Sequence, residues 1–119
     1  MKLLQEEIEK FNKDREWGYV GEIKDLLLNM NEEIGEFWHV IKWIDENKQK
    51  KMIKENIEEV DNFIGDMLFL IIKISAICEI DSEEALKKVL KEYEQRFPLK
   101  ETKGNHANKL AGGIDNKKE

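Results

Sequence analysis

The chain has 119 residues, 40% hydrophobic and 39% charged, with 26 acids against 20 lysines and arginines for a net charge of −6. That length fits one domain with a modest core, and the apolar content excludes a disordered chain. The acidic balance excludes a general affinity for nucleic-acid backbone, and the single cysteine, Cys78, excludes an internal disulfide and fits a reducing compartment.

Apolar residues recur at helical spacing and strand-like alternation is absent, so the sequence predicts four helices and a tail. The start turns acidic at once and carries no signal core. Helix one covers about residues 2–13, with Leu4, Ile8 and Phe11 on one face. The loop from Arg15 to Gly21 holds two glycines and the aromatics Trp17 and Tyr19, which makes it a shaped loop rather than a plain linker. Helix two covers about 22–46, and its seam is Ile23, Leu27, Met30, Ile34, Phe37, Ile41 and Ile44. Trp38 and Trp43 flank that seam and read as core or subunit interface, and His39 reads as surface. Helix three covers about 53–79, with the seam Ile57, Val60, Ile64, Met67, Ile71, Ile74 and Cys78. Its second half is apolar on nearly every side, as in a helix buried all round, and Cys78 reads as a small core residue. Asp66 and Lys73 interrupt the apolar stretch, so it is too short to span a bilayer. The expectation is a soluble, cytoplasmic protein. Asp81 or Ser82 caps helix four, whose apolar face is Ala85, Leu86, Val89, Leu90 and Tyr93, and Pro98 marks its end. Residues 1–98 form the expected domain, and 99–119 a flexible basic tail. Four helices of this size cannot bury helix three, so the expected architecture is all-α: a four-helix bundle built on the helix two–helix three hairpin and completed by dimerisation.

Two acid clusters stand out. The first is Glu32-Glu33-Ile34-Gly35-Glu36, and the second runs from Glu58 to Asp66. Asp66 precedes the apolar run Met67 to Ile72, where an uncompensated carboxylate is costly. A hard cation with oxygen ligands is the simplest compensation. Glu33 and Glu36 each lie one residue before a seam position and three apart, so they share a face. Asp66 has the same offset from Met67. In an antiparallel hairpin with its turn near Lys48–Lys51, Glu33 stands level with Asp66, and Glu36 with Phe63 or Asn62. Three carboxylates then converge. Glu58 and Asp61 read as a solvated face.

These residues resemble the MazG-like nucleoside triphosphate pyrophosphohydrolases, an all-α group. The family pattern is Glu-Glu-x-x-Glu on one helix and Glu-x-x-Asp on the next. Glu32-Glu33-Ile34-Gly35-Glu36 matches the first half, and Ile64-Gly65-Asp66-Met67-Leu68-Phe69 looks like the second. Arg15-Glu16-Trp17, Ile80 to Leu86, and Arg96-Phe97-Pro98 add to the likeness, which covers roughly residues 1–98. One position departs from it: Phe63 stands where the family carries a Glu, and Asn62 and Glu59 are the oxygen-bearing residues on that side of the helix.

The resemblance implies hydrolysis of a nucleoside triphosphate to monophosphate and pyrophosphate, a house-cleaning reaction on the nucleotide pool. It implies Mg2+, with Mn2+ as substitute, held by Glu33, Glu36 and Asp66 with Asn62 as a further oxygen donor. Glu32 reads either as a water-orienting acid or as a surface residue. Trp17 reads as a base-stacking surface or as core. Lys91 and Arg96 read as phosphate contacts or as ordinary cations near a helix C-terminus. Lys103, Asn105, His106 and Lys109 could fold over a nucleotide. Homodimers or dimers of dimers are the expected assemblies. The alternative, favoured by Phe63, is a catalytically reduced module that keeps the fold to bind nucleotide or partner proteins.

Overall fold

The computed structural model describes residues 1–102, with side chains through Lys100. The described chain is all-helical, with no strand among these residues. The elements are α1 (Lys2–Asp14), a 3-10 turn (Val20–Glu22), α2 (Ile23–Ile41), α3 (Glu46–Glu55), α4 (Ile57–Ile77), α5 (Ser82–Arg96) and a single turn, α6 (Leu99–Thr102). Two compact units divide the chain: Met1–Ser82, and the segment from Glu83 onward.

The first unit is built on α4. At one end of the α2–α4 pair, the rings of Phe37 and Phe63 are 4.9 Å apart. At the other end, Lys73 Nζ lies 2.7 Å from Glu22 Oε2, just before α2. Low-numbered residues of α2 therefore lie beside high-numbered residues of α4, and the two helices are antiparallel. On another side of α4, Phe11 of α1 meets Phe69 edge-on at 5.8 Å. The Phe11 ring also meets the Trp17 ring at 6.0 Å and carries the Arg15 guanidinium over its face at 3.6 Å. Gln5 ties α1 to the chain beyond α4. Its amide nitrogen donates to Ile80 O, and its oxygen accepts from the backbone N–H and hydroxyl of Ser82. Gln5 and Ser82 are both buried.

Helix two is shorter than its seam predicts. It ends at Ile41, and residues 46–55 form a helix of their own where the sequence suggests the end of helix two and a turn. The cause is local. Asp45 is extended and its carboxylate accepts from Lys48 N–H, the bond of an N-cap. Gln49 Nε2 closes the corner on Ile44 O. Asn56 then separates α3 from α4, its amide donating to Met52 O.

The core is thin. Leu26, Leu70 and Ile72 are its buried apolar side chains, and Lys73 is buried among them. The second half of α4 is thus not buried all round, since Leu68 and Ile71 are exposed. Cys78 is exposed rather than core. Trp38 is exposed, and Trp43, 87% exposed beyond the end of α2, is no core residue either. His39 is on the surface, as expected.

In the second unit, α5 begins and ends where the sequence places helix four, with Arg96 before Pro98. Residues 99–102 form a helical turn. The tail candidates Lys103, Asn105, His106 and Lys109 lie outside the described residues.

Candidate functional site

A cavity of about 310 Å³ opens on one side of the α2–α4 pair, with α3 closing one end. Phe37 and Phe63 form its apolar floor. Glu33 and Glu36 stand on its α2 wall, Glu59 and Asn62 on its α4 wall, and Met52 and Asn56 at the α3 end. Glu33 and Glu36 share a wall because three residues make most of a turn. Glu59 and Asn62 do so for the same reason on α4.

The structure places Glu33 and Glu36 across the cavity from Asn62, and not with Asp66, the residue whose seam offset matches theirs. Asp66 is not part of this lining. It lies one turn beyond Asn62, whose Nδ2 donates to Asp66 Oδ2 at 3.2 Å. Asn62 thus links Asp66 to the cavity wall. Glu32 lies on the outer side of α2, where it borders a shallow concavity with Gly35, Glu36 and His39. Lys91 and Arg96 belong to the second unit, where Arg96 pairs with Glu92 at 3.7 Å and lies over the Tyr93 and Phe97 rings. That placement is the ordinary one for a cation near a helix C-terminus.

Among the described residues, no three acidic, histidine or cysteine side chains are close enough to hold a metal ion together. Mg2+ does not require that. It commonly keeps several waters and binds through one or two carboxylates plus substrate phosphates. The donor set around the cavity is carboxylate and amide oxygen without sulfur or imidazole, which fits a hard cation.

Two turns past Asp66 on α4, about 10 Å along the axis, a second concavity of about 400 Å³ lies between α1, the loop and α4. Trp17 and Tyr19 line it and are exposed, as do buried Asn12 and Lys73. The loop is held in shape by backbone. Asn12 O accepts from Arg15 N–H and Trp17 N–H, and Glu16 turns left-handed at φ 58. Gly18 at φ 100 needs the freedom of glycine. Its N–H donates to Glu22 Oε1 at 2.6 Å. Lys73 Nζ, ion-paired to Glu22, also lies 5.1 Å from the Trp17 ring centre. The hydrogen bond from Lys73, with that from Gly18 N–H next, holds the Glu22 carboxyl below its ordinary pKa. Asn12 Oδ1 is buried without a hydrogen-bond partner, a state that calls for a ligand or a water.

Sequence reasoning named Trp17 here and missed Asn12, Glu22 and Lys73. Lys73 had a signal, as a cation inside an apolar run, which is the logic that singled out Asp66. Compared with known proteins, the chain matches no family model, no curated protein and no solved structure.

Proposed function

We propose that the chain is a Mg2+-dependent nucleoside triphosphate pyrophosphohydrolase of the MazG-like kind. The observation that carries this reading is the meeting of Glu33 and Glu36 with Glu59 and Asn62 across one cavity. Four oxygen-bearing side chains on two antiparallel helices suit a phosphate-bound cation better than an apolar ligand. Glu33 and Glu36 would hold the metal, with Asn62 and Asp66 behind them and Glu59 in the place that Phe63 leaves vacant of oxygen. The metal would neutralise phosphate charge and acidify a bound water. Glu32, on the outer side of α2, acts at most through Glu36. The exposed face of Trp17 would receive the base, and a base N–H would satisfy Asn12 Oδ1. Such a protein works as a homodimer or homotetramer.

Pyrophosphate release from a panel of NTPs and dNTPs, with and without Mg2+, tests this for the wild type and for Glu36→Gln. The expected result is metal-dependent release that the substitution abolishes. A second reading rests on Phe63: with a ring in place of an acid, the cavity holds a nucleotide without turning it over. Mg2+-dependent nucleotide binding with no release from any substrate would favour that reading.

A further inference from the structure

Lys73 is a cation that the sequence sets among Leu70, Ile71, Ile72 and Ile74, and the fold keeps it buried. Its place is fixed. Glu22 Oε2 takes one of its N–H groups at 2.7 Å, and Glu22 is itself held by Gly18 N–H. The ammonium also lies 5.1 Å from the centre of the Trp17 ring. An ammonium has three donors and no acceptor. Among the described residues no second acceptor meets it, so at least one donor is left for a ligand.

Asn12 lines the same concavity and has the opposite need. Its backbone oxygen holds the Trp17 N–H, yet its side-chain Oδ1 is buried with no partner. That oxygen can only accept. A buried donor and a buried acceptor, both open, favour a ligand that fills both at once. The exposed rings of Trp17 and Tyr19 beside them offer a flat surface. The ligand part that fits is neutral. Glu22 already balances the Lys73 charge, and Glu9 and Glu16 outweigh Lys13 in the lining, so a phosphate is repelled.

We propose that this concavity selects a lactam base, in which a ring N–H stands beside a carbonyl, and that Lys73 makes the selection. Uracil, thymine, guanine and hypoxanthine carry that edge. The ring N–H donates to Asn12 Oδ1, the carbonyl oxygen accepts from Lys73 Nζ, and the ring lies on Trp17. Lysine ordinarily meets a base at such an oxygen, as on guanine O6. Cytosine and adenine carry an amino group where the carbonyl stands, and it meets Lys73 donor to donor. Turned over, they offer Lys73 only a ring nitrogen. The inference rests on the nucleotide reading for placing a base here and goes beyond it in naming which bases.

Titration of the full chain with inosine, uridine, adenosine and cytidine tests it, since nucleosides need neither metal nor turnover. Trp38→Phe and Trp43→Phe, both at exposed positions, leave Trp17 as the only fluorophore of its kind. Inosine and uridine should change its emission at concentrations at least about tenfold lower than adenosine and cytidine. Lys73→Gln supplies an amide that accepts as well as donates. It should raise the affinity for adenosine and cytidine toward that for inosine and uridine, with helical circular dichroism retained. A gain of binding is not what a merely destabilised fold produces. Equal binding of all four, a preference for the amino pair, no response up to the solubility limit, or a preference that Lys73→Gln leaves unchanged overturns the proposal. A lactam preference without pyrophosphate release from any triphosphate leaves this site standing and removes the enzymatic reading. Release from all triphosphates alike, with no nucleoside preference, does the reverse.

Discussion

Glu22→Gln probes the ion pair that joins the 3-10 turn before α2 to α4. The Lys73 side chain is 7% exposed and that of Glu22 15%, and their charged atoms are 2.7 Å apart. Glutamine keeps the shape and an acceptor for Gly18 N–H, but it leaves the Lys73 ammonium buried without a counter-charge. Removing one partner of a buried pair costs ~3–5 kcal/mol. The coverage here is thin and water is near, so about 2 kcal/mol is expected. That is a large share of the ~5–15 kcal/mol that holds a domain together, and it lowers Tm by on the order of 10 °C. Lys73→Met costs less, about 1 kcal/mol, because the remaining carboxylate keeps the Gly18 bond and reaches solvent. The double variant therefore recovers part of the loss of Glu22→Gln alone. Urea unfolding followed by circular dichroism measures all three. The effect also depends on pH. The folded carboxyl of Glu22 titrates below its unfolded value, so between the two the unfolded chain binds more protons and stability rises with pH. The contribution is complete above the ordinary glutamate range and is lost as pH falls through the lowered value. Wild type and Glu22→Gln should converge in acid. Two single variants that each cost under about 0.5 kcal/mol, or a double variant that is simply additive, would refute the reasoning.

Two further outcomes follow from the geometry. Phe63→Glu supplies the acid that the resemblance expects and removes one ring of a pair worth ~0.5–1.5 kcal/mol beyond its area. The variant should melt several degrees lower without metal and regain that with Mg2+, and a variant that loses stability and ignores Mg2+ would place position 63 outside any metal site. Gln5→Leu strands the buried N–H and hydroxyl of Ser82 and should cost ~1–3 kcal/mol in urea unfolding, and a neutral result would mean that water replaces the amide.

Much of the architecture was legible in the sequence because α1, α4 and α5 each carry one apolar period from cap to end. Helix α3 was hidden because Ile41 and Ile44 continue the α2 period across a break set by one capping carboxylate, Asp45. Burial was misread where a stripe was assigned to a single neighbour. Leu27, Ile34, Ile64 and Ile71 sit on the seams by spacing, yet they are exposed, whereas Phe37 meets Phe63 and Leu26 and Leu70 are buried about a quarter turn away. The two seam offsets pointed to Asp66 as the partner of Glu33 and Glu36, whereas the cavity is lined by Asn62, one turn before it. Glu59 and Lys73 depend on how far α4 is turned and on where α1 docks, which no local pattern encodes.

The clasp between Gln5 and Ser82 spans 77 positions. The entropy of closing so long a loop grows slowly with its length, but the bond gives nothing back until the chain between is already arranged. The clasp should therefore form after the folding barrier has been crossed. Substitutions at either end would hasten unfolding and leave the folding rate almost untouched, so the lifetime of the native state, rather than the speed of reaching it, is what this pair of side chains sets.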